Sequence, residues 1–220
     1  MTNLFNCDAV IFDLDGVLVD SGRSVVLAWE QLAAEFQLDL GPMFPDLHGV
    51  RTVDALPSDL PPDAAVAAEQ RLEDIEIAMS TGSEAVAGVR ALLESLPGGR
   101  WGIATSGSRA LATARLGAVS IEVPEVMITA DDVAAGKPDP APYLAAARAL
   151  QIAPTRALVF EDAPSGAAAA RSAGATVIGV ATTHRPGDFE AHAWIEDFTA
   201  IEVIGLDPLV LSTKDDRSAR

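Results

Sequence analysis

Hydrophobic positions along this chain recur in two rhythms. Five short runs are apolar almost throughout: Ala9-Val10-Ile11-Phe12, Arg100-Trp101-Gly102-Ile103-Ala104-Thr105, Val126-Met127-Ile128-Thr129, Ala157-Leu158-Val159-Phe160 and Thr176-Val177-Ile178-Gly179-Val180. Runs of this length, rich in β-branched and aromatic residues and bounded by turn formers, predict buried strands. A weaker strand is predicted around Ala193-Trp194-Ile195. Between the runs the spacing is helical. Ser108 is placed to cap a helix from Arg109 to Leu116 with Gly117 at its end. Asp139 and Pro140 open a helix toward Leu150, and Ser165 precedes an alanine-rich helix that stops near Gly174. Strands alternating with helices predict right-handed β-α-β units, hence an α/β fold with a parallel sheet flanked by helices.

Residues 22–82 break that alternation. Ser24 to Phe36 is amphipathic, with Val25, Val26, Leu27, Trp29, Leu32, Ala33 and Phe36 able to share an apolar face. A stretch containing proline and glycine follows from Gly41 to Pro45, then shorter helical pieces that include Ala64 to Met79. No strand pattern occurs here. The expected organisation is an α/β core made of 1–21 and 83–220, with an all-helical domain, 22–82, inserted after the first strand.

Composition narrows the function classes. With 220 residues and 49% hydrophobic content, the chain can form one sizeable domain with a modest insertion. No apolar run approaches a membrane span, and no basic region followed by an apolar segment marks a signal peptide. The single cysteine, Cys7, excludes an internal disulfide and suits a cytoplasmic location. A net charge of −17 argues against nucleic acid or an anionic membrane surface as partner. Against thirteen arginines stand two lysines, Lys137 and Lys214. Lys214 lies in the polar segment Ser212-Thr213-Lys214-Asp215-Asp216-Arg217, which reads as a frayed end. Lys137 is internal, and marks either chance usage or a task needing a compact ammonium.

The candidate chemistry sits where the predicted strands end. Asp13-Leu14-Asp15-Gly16 closes the first strand. Residues two apart on an extended chain face the same way, so one carboxylate can act as nucleophile while the other moves a proton; the plain alternative is an acidic turn. Its glycine is at the fourth position rather than the sixth, which excludes an EF-hand loop. Thr105-Ser106-Gly107-Ser108 opens a helix, where hydroxyls and free amides bind phosphate oxygens or merely cap. Gly136-Lys137-Pro138-Asp139-Pro140 holds the internal lysine in a stiff loop. Phe160-Glu161-Asp162-Ala163-Pro164-Ser165-Gly166 supplies a second acidic pair, hard oxygen donors suited to Mg²⁺. Each motif alone is weak. All of them at the C-terminal ends of parallel strands converge on one crevice, equipped to handle a phosphoryl group with Mg²⁺.

These motifs, in this order and over nearly the whole chain, resemble the haloacid dehalogenase superfamily, in particular phosphatases with a helical cap after the first strand. The first match extends through Asp13-Leu14-Asp15-Gly16-Val17-Leu18-Val19-Asp20-Ser21. The resemblance implies a Rossmann-like core and a Mg²⁺-dependent phosphatase acting on a small phosphomonoester through an aspartyl-phosphate. Asp13 would be the nucleophile and Asp15 the acid/base. Asp13, the Asp15 carbonyl and Asp162 would ligate the metal, with Glu161 a ligand or its neighbour. Ser106 and the Gly107 amide would hold phosphoryl oxygens, and Lys137 would bridge Asp13 and the phosphoryl group. His48-Gly49-Val50-Arg51-Thr52-Val53-Asp54 is similar to the cap loop of sugar and polyol phosphate phosphatases. It makes Arg51 a candidate contact for a substrate hydroxyl or phosphate and His48 or Asp54 candidates for hydroxyls, or else is a solvated loop with local salt links. Trp29 is expected in the cap core, and His184 and His192, in a late loop region, carry no assigned role. The expected partner is a small phosphorylated metabolite, and the expected assembly a monomer or weak dimer.

Other readings are weaker. A phosphotransferase of the β-phosphoglucomutase type shares the motifs but carries a cap histidine soon after the first, where this chain has Gly22-Arg23-Ser24-Val25. A non-catalytic phospholigand-binding protein should lack Asp13 or Asp15. A nucleotide-sugar transferase using Asp-x-Asp leaves Lys137 and Glu161-Asp162 without a task.

Overall fold

The computed structural model describes residues 3–39 and 51–213. In chain order its elements are β1 (Leu4–Cys7), β2 (Ala9–Phe12), β3 (Val19–Asp20), α1 (Gly22–Phe36), α2 (Thr52–Ala55), α3 (Pro62–Met79), β4 (Glu84–Ala85), α4 (Val89–Ser95), β5 (Trp101–Ala104), α5 (Arg109–Ala118), β6 (Met127–Ile128), α6 (Ala141–Ala149), β7 (Ala157–Glu161), α7 (Pro164–Ser172), β8 (Thr176–Val180), β9 (Ala193–Ile195), β10 (Ile201–Leu206) and β11 (Leu209–Thr213). The predicted strands form one six-stranded sheet in the order β6-β5-β2-β7-β8-β9, parallel throughout. From β2 the chain builds outward through β5 and β6 on one side, then returns to β7, β8 and β9 on the other. The strand order therefore reverses at β2, and a crevice opens at the C-terminal ends of β5, β2 and β7.

Both faces of the sheet are covered, which explains why β2 and β7 are buried along their whole length. On one face Phe12 stacks on Phe160 with ring centroids 5.3 Å apart, and Phe198 meets both rings edge-on. Such pairs add about 0.5–1.5 kcal/mol beyond area burial. On the other face small side chains of α6 and α7, Ala146, Ala147, Ala167 and Ala170, bring those helices close to Ile11, Val159 and Val177. The first residues of α7 include Ser165, and the cap position before it is Ala163, not Ser165 as the sequence suggests. Pro164 explains the shift: lacking an N–H, it fits the first helical turn and starts the helix two residues earlier.

Between β3 and β4, which pair antiparallel, run α1, α2 and α3. Val25, Ala28, Trp29 and Leu32 of α1 pack against Ala68, Leu72 and Ile75 of α3 in a cluster of their own. Leu27 departs from the expected apolar face and is 44% exposed, because that face centres on Ala28 and Leu32 instead.

The polar end of the chain is the clearest correction. Ser212 and Thr213 are not frayed: they close β11, in an antiparallel sheet ordered β1-β11-β10. Thr213 N–H donates to the Asn3 carbonyl at 3.0 Å, and Asn3 N–H to Thr213 Oγ1 at 3.1 Å. Leu209 and Leu211, fully buried against the main core, anchor the strand whose polar end these bonds satisfy. Lys214 and the residues after it lie outside the described residues. Among the described residues no helix is long and apolar enough to cross a membrane.

Candidate active site

β2 ends by delivering Asp13 into the crevice, with its N–H donating to the Phe160 carbonyl of β7 at 3.0 Å. The chain then turns tightly through Gly16, whose φ is +73° and whose N–H reaches the Val19 carbonyl at 2.7 Å. Any Cβ there would overlap the Asp162 carboxylate, so the turn admits only glycine on both conformational and steric grounds. Leu14, Val17 and Leu18 pin the turn from beneath.

Asp13, Glu161, Asp162 and Lys137 are all buried beneath the crevice. Lys137 Nζ donates to Asp13 Oδ1 at 2.7 Å and to Glu161 Oε1 at 2.6 Å. Glu161 Oε1 also accepts from the Tyr143 hydroxyl at 2.5 Å, while Oε2 accepts the amides of Asp162 and Ala163. Both oxygens of Glu161 thus have partners, Oε1 the lysine and Tyr143, Oε2 the backbone amides. Asp162 is different. Thr183 Oγ1 donates to its Oδ2 at 2.5 Å, but Oδ1 is buried with no hydrogen-bond partner.

The electrostatics follow from counting charges in a space water barely reaches. Burial, then the neighbouring Glu161, push the Asp13 carboxyl up to about 7 although Lys137 pulls it down. Burial, then Glu161 and Asp13, hold the Asp162 carboxyl well above the usual carboxylate range. Burial lowers Lys137, but Asp13 and Glu161 outweigh it and keep the ammonium protonated. Three buried carboxylates against one ammonium leave the cluster short of positive charge. Single carboxylate oxygens of Asp13, Glu161 and Asp162 lie within 4.8 Å of one another, and one oxygen of Asp162 is unpartnered. These hard donors and that deficit fit a divalent cation.

Above the cluster lies a cleft of about 340 Å³, large enough for a small phosphorylated molecule. Asp13, Asp15, Ser106, Gly107 and Arg51 line it, while Lys137, Glu161 and Asp162 are buried around Asp13 and do not line it. The structure brings together the sequence-predicted site residues except His48, which lies outside the described residues, and Asp54, which pairs with Arg51 and does not line the cleft. Asp15 is not in the acidic cluster; its carboxylate turns to Arg115 of α5 and Ser21. The Gly107 amide here donates to Thr105 Oγ1 at 3.2 Å. Ser108 caps α5, accepting from Leu111 N, and its hydroxyl donates to Glu73 of α3. Arg51, the cap position before α2, crosses to the core: it pairs with Asp54 at 2.8 Å and donates to the Ala134 carbonyl at 3.2 Å. Its side chain lies over Gly136, where a Cβ would meet it at 2.5 Å.

Several residues escaped the sequence reading. Tyr143, the only tyrosine in the chain, orients Glu161. Thr183 and His184 hold Asp162: His184 Nδ1 lies 2.9 Å from its carbonyl oxygen, so this histidine does have a place. His192 Nδ1 accepts from Val177 N at the sheet edge instead. Arg115, on the apolar face of α5, pairs with Asp15 and with Glu76 of α3. A charged residue sharing a helix face with Leu111, Ala112 and Leu116 was the signal.

Comparison with known proteins agrees with this architecture. The family model described as "haloacid dehalogenase-like hydrolase" matches residues 7–174. Hexitol phosphatase A of Escherichia coli (strain K12) is 40% identical over 179 residues, covering 79% of this chain and 83% of that protein. Glycerol-1-phosphate phosphohydrolase 1 of Saccharomyces cerevisiae is 33% identical over 189 residues, 80% of this chain and 75% of its own. A hydrolase from Pseudomonas syringae superposes with a TM-score of 0.80 at 29% identity, over 87% of this chain and 94% of that one. A family model spanning most of the chain, and an acidic strand-end cluster of the kind its motifs imply, lead to one assignment: this chain belongs to the haloacid dehalogenase-like hydrolase family.

Proposed function

We propose that this chain is a Mg²⁺-dependent phosphatase that hydrolyses a small sugar or polyol phosphate. The observation that carries this reading is the buried Asp13–Lys137–Glu161–Asp162 array beneath a cleft whose opposite wall presents Glu69, Gln70 and Glu73. The array suits a phosphoryl group; the wall supplies hydrogen-bond acceptors for hydroxyls and would repel a second anion. The polyol and sugar phosphatases among its relatives support the same substrate class.

In this reading residues 22–82 form a cap over the α/β core of 1–21 and 83–220. Asp13 attacks phosphorus while Asp15 gives a proton to the departing alcohol oxygen, leaving an aspartyl-phosphate. Asp15, now a carboxylate, takes a proton from water, which attacks the same phosphorus and frees Asp13. Ser106 and Gly107 hold phosphoryl oxygens, and Lys137 offsets the charge on Asp13 and on the phosphoryl group. Asp13, Asp162 and the Asp15 carbonyl would hold Mg²⁺, with Glu161 behind them; the ion, when bound, supplies the remaining positive charge. A single buried cysteine, Cys7, fits a cytoplasmic enzyme, and we take the working unit to be a monomer or weak dimer.

A panel of phosphate esters assayed with Mg²⁺ and with chelator tests the reading. Polyol and sugar monophosphates should be turned over with Mg²⁺, and chelation should reduce the rate at least about 100-fold, since the ion supplies several kcal/mol of charge stabilisation. Turnover that ignores the chelator sinks the mechanism. Arg51→Ala should raise KM for the best polyol phosphate about 10-fold, the worth of one charge-assisted hydrogen bond, while moving KM for an aryl phosphate less than about two-fold. Equal effects on both esters would assign Arg51 to the Asp54 and Ala134 contacts alone.

A further inference from the structure

Arg115 lies inside the protein, 3% exposed, at the point where α5, the turn after β2 and α3 meet. One of its terminal nitrogens pairs with Asp15 Oδ2; the other donates to Glu76 Oε1 at 2.9 Å. The second oxygen of Asp15, Oδ1, accepts from the Ser21 hydroxyl at 2.5 Å, and Ser21 is itself buried. Asp15 therefore reaches the cleft with both carboxylate oxygens held from behind. A buried ion pair is an expensive way to pack a helix, since apolar side chains of similar volume usually serve as well or better. α5 already has Leu111, Ala112 and Leu116 on this face.

We infer that Arg115 is a positioning residue for proton transfer: its planar fork, anchored by Glu76, fixes the Asp15 carboxyl in the orientation from which it serves the leaving oxygen. This rests on the phosphatase reading above. In the first half-reaction the Asp13 carboxylate forms a bond to phosphorus as the bond from phosphorus to the alcohol oxygen breaks. That oxygen takes the Asp15 proton, and the negative charge left on Asp15 faces the guanidinium. An ester whose leaving group departs as a stable phenolate makes little use of this proton. An alkyl ester needs it. Damage to the positioning of Asp15 should therefore fall on alkyl phosphates selectively, whereas damage to the cleft or the fold falls on both.

The experiment compares kcat/KM for the best polyol phosphate and for p-nitrophenyl phosphate in the parent, Arg115→Met and Arg115→Lys, with thermal unfolding of each. kcat/KM reports the steps through P–O cleavage, so later hydrolysis of the aspartyl-phosphate does not enter. A positioned general acid contributes 10²–10⁴-fold, so Arg115→Met should lose about 100-fold on the polyol ester and less than about five-fold on the aryl ester. Arg115→Lys keeps a buried cation and the fold, but one ammonium cannot span Asp15 and Glu76 as the fork does. It should show the same split at about 10-fold. Equal losses on the two esters in either folded variant, or no loss at all, overturn the inference while leaving the phosphatase reading intact. A parent protein that hydrolyses neither ester overturns both.

Discussion

Lys137→Met is expected to destabilise the metal-free protein by about 3–5 kcal/mol, the cost of breaking a buried ion pair from one side. In a chain of this size that shift lowers the unfolding midpoint by on the order of 10 °C. The Lys137 ammonium is the charge partner of both Asp13 and Glu161, at 2.7 and 2.6 Å, and its side chain is fully buried. Methionine keeps the length and removes every donor. Asp13, Glu161 and Asp162 are then left facing one another without a cation, and must take up protons or water. Tyr143 and the amides of Asp162 and Ala163 still hold Glu161, so the loss concentrates on Asp13. Turnover should fall by more than about 10³-fold, because a nucleophilic carboxylate driven toward its protonated form fails at the first step. Unfolding of parent and variant in chelator at pH 8, together with steady-state rates in Mg²⁺, checks both halves. A variant that melts with its parent would show that the ion pairs contribute nothing net to the fold.

What could be read in the sequence follows from how local each signal is. The strands β2, β5, β7 and β8 declare themselves through unbroken apolar runs, and the segments after β2, β5, β6 and β7 through Gly16, Ser108, Pro138 and Pro164. Because a parallel sheet presents all its strand ends on one side, residues far apart in sequence, Asp13, Ser106, Lys137 and Asp162, fall together once the strands are placed. Non-local partners were not legible. The hairpin of β10 and β11 pairs with β1 across the whole length of the chain, and its last residues look polar when taken alone. Arg115 and Glu76 each sit on an apolar face of a different helix. Each appears as a local irregularity, and only the packing of α3 against α5 turns the two into a pair. Likewise Thr183 and His184 acquire meaning only because the loop after β8 returns to Asp162.

Asp13→Asn is expected to eliminate turnover, by more than about four orders of magnitude, and also to make the metal-free protein more stable at pH 8. The first effect follows from chemistry: an amide in the place of the carboxylate cannot form an aspartyl-phosphate. The second follows from burial. In the unfolded chain Asp13 titrates near its ordinary value of 3.8; burial in the fold raises it to about 7. Between those values the folded state binds more protons than the unfolded state, so stability falls as pH rises through that window, and above it the cost is complete. At 1.36 kcal/mol per unit the cost is roughly a few kcal/mol, drawn from a fold whose total stability is about 5–15 kcal/mol. Asparagine is neutral at every pH, similar in volume and able to accept from Lys137, so it escapes the cost. Asp162 and Glu76, also raised by burial, give parent and variant alike a slope of the same sign. The difference between the two proteins therefore reports Asp13 together with the repulsion it exerts on Asp162. In chelator the variant should melt several degrees above its parent at pH 8, with the gap narrowing toward pH 4. Mg²⁺ should stabilise the parent more than the variant, because the ion neutralises a charge that only the parent carries. Parallel unfolding curves across that pH range would mean that the Asp13 carboxylate is not held at a cost to the fold, and that Lys137 alone meets its need for a cation.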